Sequence, residues 1–164
     1  MPGCAAKTGV VAFAVLLLAA TASWCETARP DAADSAAVQS CIKAAAGGSQ
    51  RERCIGIIAD PCADQPGAES TAGQVACAAR ENAVWDDILN ETYRRLRDKL
   101  DAAQKLKLRA MQRAWIDSRE RSCAFYWDFF RGTMASPMSV FCNNRETARR
   151  ALFLLGFLDN AEGR

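Results

Sequence analysis

The sequence predicts an all-α fold, a small disulfide-stapled helical bundle built on a long antiparallel helix hairpin. Three observations lead there. Between residues 71 and 130 the apolar residues recur at three- and four-residue steps with one brief interruption. No segment shows the two-residue alternation of a half-buried strand. Six cysteines, Cys41, Cys54, Cys62, Cys77, Cys123 and Cys142, follow residue 26, an even set that suits pairing in an oxidising compartment.

The elements follow in chain order. From Ala32 to Ala46 the chain is alanine-rich, with Val38, Cys41, Ile42 and Ala45 at helical steps, and Gly47-Gly48 stops it. Arg51 to Ala59 predicts another turn or two, ended by Asp60-Pro61. Cys62 to Gly73, with Pro66 and Gly67 and few large apolar residues, predicts a loop. A long helix from about Thr71 to Leu100 places Cys77, Glu81, Trp85, Ile88, Leu89, Thr92, Tyr93, Leu96 and Leu100 on one face and Asp87, Glu91, Arg94, Arg95 and Asp98 on the other. A second, from about Ala102 to Phe130, aligns Leu108, Met111, Trp115, Ser118 and Ser122, with Cys123 beside them. The short junction at Asp101 turns the pair into an antiparallel hairpin. Gly132 and Pro137 predict a loop, and a last helix from Asn144 to Asn160, capped by Asn143 or Asn144, buries Ala148, Ala151, Leu152, Leu155 and Leu158. Trp115 is expected to face the core, so that Trp115→Ala costs about 3 to 5 kcal/mol. Cys123 and Cys142 bracket the predicted loop, and a bond between them staples its ends at roughly 3 kcal/mol. The other four cysteines are then left to pair among themselves.

The N-terminus has the layout of a secretory signal: Lys7 precedes an apolar run from Val10 to Ala20, and small residues follow. The run is short of the roughly 20 apolar residues that a membrane-spanning helix needs. Residues 1–25 are therefore read as a signal peptide, cleaved after Ala22 or after Cys25, and the second choice leaves the even cysteine set. Acylation of Cys25 is the rival reading, and the bulky Trp24 before it argues against a lipoprotein site. The implied destination is the periplasm or the exterior, with no stable membrane insertion after the signal is removed.

Composition excludes much. The chain has no histidine, so the commonest general base and the commonest metal ligand are both missing. The formal net charge is +2, too small a surplus to draw the chain to nucleic acid. There is no glycine-rich phosphate loop and no nucleophile signature, and the cysteines are better used as disulfides than as zinc ligands. The expectation is a non-enzyme with no cofactor and no metal site. A carboxylate pair, Glu81 with Asp86 or Asp87, would need a cleft to do glycosidase-type work. The plainer reading of Asp86 and Asn90 is a buried polar network that reaches Gln112 or Arg119 and sets the register of the hairpin.

The run Cys77, Glu81, Trp85-Asp86, Leu89-Asn90, Tyr93, then Leu108, Gln112, Trp115, Cys123, and finally Cys142 with Arg149, resembles the family named for the lysozyme inhibitor LprI, a DUF1311-type exported helical domain. On that resemblance Glu81, Trp85, Asp86, Asn90, Tyr93, Gln112 and Trp115 form the motif core. Residues 71–164 make up the family domain, and residues 26–70, with Cys41, Cys54 and Cys62, are an N-terminal extension. The resemblance implies an exported helical domain that binds a protein partner, with lysozyme inhibition as the candidate act. The alternative is an envelope interaction or structural module without inhibitory activity. For the contact surface, the stretch Arg131 to Phe141 offers Arg131, the hydroxyls of Thr133, Ser136 and Ser139, and Phe141 on a disulfide-held loop. The aromatics Phe125, Tyr126, Trp127, Phe129 and Phe130 are too many for one buried stripe. They either cover the foot of the bundle or stay exposed to anchor a partner.

Overall fold

A computed structural model describes residues 30–45 and 47–163, so the signal segment and Cys25 lie outside the described residues. Every regular element among them is helical: α1 (Ala32–Ala44), α2 (Gly48–Arg51), a 3-10 turn (Glu52–Cys54), α3 (Ala59–Ala63), α4 (Thr71–Lys99), α5 (Ala102–Phe130) and α6 (Ala135–Glu162).

Local chemistry sets several of these ends. Asp31 caps α1 through its carboxylate, which accepts from the amides of Ala33 and Asp34. Ser70 accepts from the Gly73 amide and caps α4. Asp101 and Gln104 form a reciprocal capping box at the start of α5, Gln104 N–H to Asp101 at 2.8 Å and Asp101 N–H to Gln104 at 3.0 Å. That box makes the two-residue junction Leu100–Asp101 sufficient to end one 29-residue helix and begin another.

Two proline signals mean the opposite of what the sequence suggests. Asp60-Pro61 does not end a helix, and Pro137 does not sit in a loop. Each proline is the third residue of a helix, α3 and α6 respectively. Amides in the first turn have no intrahelical acceptor, so a proline there forfeits nothing. The last helix therefore starts at Ala135, nine residues before the predicted start, and the predicted loop 131–141 shrinks to the turn between α5 and α6. Asn144 is not a cap; it is a buried interior residue.

Contacts between elements give the topology. Arg95 near the end of α4 bonds Glu162 near the end of α6 at 2.8 Å, and Glu81 and Asn144 meet near the beginnings of the same helices, so α4 and α6 run parallel. Cys123 with Cys142 and Gln112 with Arg150 make α5 and α6 antiparallel. The chain thus reverses between α4 and α5 as predicted. Yet α6 is the helix that packs along both, and α4 and α5 share few direct contacts. One core joins Val38 and Ile42 of α1, Cys54 of the 3-10 turn, Val84, Trp85, Leu89 and Leu96 of α4, Leu108 of α5, and Ala148, Ala151, Leu152, Leu154 and Leu158 of α6.

Three disulfides tie the peripheral pieces to this core: Cys41–Cys54, Cys62–Cys77 and Cys123–Cys142. Ion pairs between elements add Arg80 with Asp34 (α4 to α1) and Arg51 with Asp159 (α2 to α6). Among the described residues no helix is long and apolar enough to cross a membrane.

Candidate functional site

Glu81 is the best-satisfied polar group of the interior. Its side chain is wholly buried. Oε1 accepts from the Gly56 amide (2.7 Å), the Trp85 indole Nε1 (2.8 Å) and Asn144 Nδ2 (3.3 Å), while Oε2 accepts from the amides of Ala59 (2.8 Å) and Ile58 (2.9 Å). Five donors and no cation hold the carboxylate. It anchors the 56–59 turn to α4 and α6, and it has no route to a substrate. The paired-carboxylate reading of Glu81 is therefore overturned: its lone pairs are already engaged, and Asp86 and Asp87 point to solvent.

Gly56 makes the turn feasible. Its φ of +95° is in the left-handed region, and a Cβ built there would lie 2.3 Å from the Asp60 carboxylate. Burial pushes the Asp60 carboxyl above the usual carboxylate range, and Arg145, 3.9 Å away, only partly offsets this.

The polar residues of the family motif separate into inner and outer sets. Glu81 and Trp85 are core, and Tyr93 packs partly buried against it. Asp86 and Asn90 are exposed and bond only each other, at 3.0 Å; they do not reach Gln112 or Arg119. Those two turn toward α6 instead: Arg119 Nη1 donates to the buried Thr147 (2.9 Å), and Gln112 accepts from Arg150 Nε (2.8 Å). The register network exists, but it links α5 to α6, because α6 is the helix α5 lies against. The same shift moves the inward stripe of α5 to Leu108, Gln112, Trp115, Arg119 and Cys123, leaving Ser118 and Ser122 exposed.

Trp115 is corrected with it. The indole is partly buried at the edge of the core, not enclosed. Its ring is a platform for two guanidinium groups, Arg119 at 4.8 Å and Arg150 at 5.5 Å, and Arg150 also lies 5.1 Å from the Phe153 ring. The tryptophan that fills the interior is Trp85, with no exposed surface.

At the far end of α5 the aromatics are outside. Phe125 is 61 % exposed, Trp127 54 % and Phe129 67 %, with Phe130 and Met134 exposed beside them. Phe125 contacts Phe129, Tyr126 stacks on Phe130, and Phe129 meets Phe130 edge to face, so the patch is an ordered array. It surrounds the tip where α5 turns into α6, and Cys123–Cys142 ties the two helices just behind it. Arg131, exposed with φ +45°, closes α5 and donates to the Asp128 carbonyl (3.4 Å).

The residues first assigned to the contact loop divide accordingly. Arg131 and Thr133 are exposed on the turn, and Ser136 is partly exposed on the first turn of α6. Ser139 is buried against the bundle and cannot reach a partner. Phe141 is partly covered and lies against Arg145 (5.9 Å). The exposed array was legible as an excess of aromatics over one stripe. Which rings stay outside depended on where α6 starts. Among the described residues no group of three or more metal-ligating side chains is assembled.

No curated protein and no solved structure matches the chain. The family model described as lysozyme inhibitor LprI matches residues 62–154. That span opens at Cys62 of the Cys62–Cys77 bond and takes in Glu81, Trp85, Cys123–Cys142 and most of α6, which is the frame just described. The chain belongs to the LprI lysozyme-inhibitor family.

Proposed function

We propose that this chain is an exported, protein-binding helical domain, and that the tip between α5 and α6 is its contact surface, with a lysozyme as the partner. The exposed array of Phe125, Trp127, Phe129 and Phe130, backed by a disulfide, is the observation that carries the reading. Interface energy concentrates in aromatic and arginine anchors, and a tip already held in place loses little entropy when it docks. A convex tip suits a cleft. Lysozyme's cleft presents two carboxylates, and Arg131, with Thr133 beside it, supplies donors to an anionic acceptor. Export is supported by the signal-like N-terminus and by three disulfides, which persist only where thiols are not kept reduced. On this reading residues 71–164 form the binding domain, and residues 26–70 are an extension that braces it.

A cell-wall clearing assay tests the proposal, with the oxidised chain and several lysozymes. The wild type should slow lysis at micromolar excess. Trp127→Ala combined with Phe129→Ala should weaken inhibition by at least thirtyfold, from about 2 kcal/mol or more of lost anchor energy. Unimpeded lysis by every lysozyme would remove the inhibitor reading. Undiminished inhibition by the double variant, with an unchanged circular dichroism spectrum, would remove the tip.

A further inference from the structure

A groove of about 410 Å³ lies between the 3-10 turn and α5, with α6 as its floor; Glu52, Trp115, Glu146, Arg149, Arg150 and Phe153 line it. Its charges are unequally satisfied. Arg149 and Glu146 pair at 2.6 Å and neutralise each other. Arg150 makes no ion pair among the described residues: Nε donates to the neutral Gln112, Nη2 is buried without an acceptor, and the guanidinium lies 5.5 Å from the Trp115 ring and 5.1 Å from that of Phe153. Glu52, on the turn opposite, is exposed and likewise forms no salt bridge among the described residues. One cation and one anion thus stand in the same groove without joining, and two aromatic rings stand beside the cation.

We infer that this groove is a receptor site for a zwitterionic amino-acid head group, its carboxylate on Arg150, its ammonium on Glu52, and an apolar side chain against Phe153 and the edge of Trp115. A simple anion would meet the field of Glu52, and a simple cation that of Arg150. A ligand that carries both charges satisfies both walls. The Trp115 and Phe153 rings lie beside the guanidinium; Nε is engaged by Gln112 and Nη2 is buried, which leaves Nη1 to donate to a ligand carboxylate. Burial lowers the affinity of Arg150 for its proton, so a carboxylate brought to it relieves a charge that the protein leaves uncompensated. The volume falls in the lower part of the roughly 300–1,000 Å³ range of small-molecule sites, which suits a single amino acid and not a folded segment. The site is separate from the aromatic tip and stands whether or not a lysozyme is bound.

The test is a titration of the ¹⁵N-labelled, oxidised chain with phenylalanine, N-acetylphenylalanine and phenylalaninamide, read at Trp115 Nε1 and Arg150 Nε. Phenylalanine should shift both signals saturably in the millimolar range. The two blocked forms, each lacking one charge, should bind at least tenfold more weakly. Glu52→Gln, at an exposed position that leaves the fold intact, should weaken phenylalanine by a similar factor with an unchanged melting temperature, and Arg150→Gln should abolish the shift at Trp115. The proposal is overturned if no probe produces saturable shifts, if either blocked form binds as tightly as phenylalanine, or if Glu52→Gln leaves its affinity unaltered.

Discussion

Replacing Glu81 by glutamine changes one atom of a side chain with no exposed surface, and the structure permits its cost to be estimated. The carboxylate serves five donors on two oxygens. An amide has one acceptor oxygen. Placed at the Oε1 position, that oxygen keeps Gly56, Trp85 and Asn144, while the new NH₂ group faces the amides of Ile58 and Ala59. Two backbone donors, buried at Ala59 and partly buried at Ile58, then lose their acceptor, at about 1 to 3 kcal/mol each, and the amide hydrogens find none. Placed at Oε2, it forfeits three donors instead, although Asn144 can turn to offer its unpartnered Oδ1. Removing a desolvated charge offsets part of the loss. The net expectation for Glu81→Gln is destabilisation by about 3 kcal/mol, or a melting temperature lower by roughly 10 °C for a chain of this size. Thermal and urea unfolding of the oxidised protein measures it, with Asp86→Asn as a control at an exposed position, expected within about 0.5 kcal/mol of wild type. A Glu81→Gln melting temperature within 2 °C or so of wild type would refute the reasoning, because the 56–59 turn would then be holding itself.

Other substitutions probe other parts of the same argument. Gly56→Ala combines a left-handed φ with a Cβ only 2.3 Å from the Asp60 carboxylate, and it should cost about 2 to 4 kcal/mol in the same unfolding experiment. Trp85→Ala should cost about 3 to 5 kcal/mol, as expected for an enclosed indole, and Trp115→Ala markedly less, about 1 to 2 kcal/mol, because Trp115 is partly solvated; equal losses would contradict the placement of both. The Asp60 carboxyl is raised in the folded state. Its contribution to stability is therefore present below the unfolded carboxylate value and lost as pH rises through the folded value. Asp60→Asn should melt at or above wild type at neutral pH, and the gap should close as the pH falls toward about 3; a gap that widens on acidification would show the sign to be wrong.

The family and the helical class were legible in the chain because their signals are local. Cys77, Glu81, Trp85, Leu89, Thr92 and Leu96 repeat at helical steps, and the structure buries that face. Ser70, and Asp101 with Gln104, cap where short-range hydrogen bonding requires it. Pairing between helices was not local. Nothing in the spacing of α5 states that Gln112 and Arg119 face α6 and not α4, since one amphipathic stripe fits either neighbour.

Periodicity, capping, an even set of cysteines for crosslinking, and membership of a family through residues at fixed intervals are thus written in the chain. Packing alone revealed that Pro61 and Pro137 open helices, that α6 packs along both α4 and α5, that Ser139 is hidden while Phe125, Trp127 and Phe129 are not, and that Glu81 gathers donors from three separate segments. The difference lies in range. Helical steps and caps are governed by residues within about four positions of one another, whereas burial and charge compensation depend on partners such as Gly56, Glu81 and Asn144, which only the packed chain brings together.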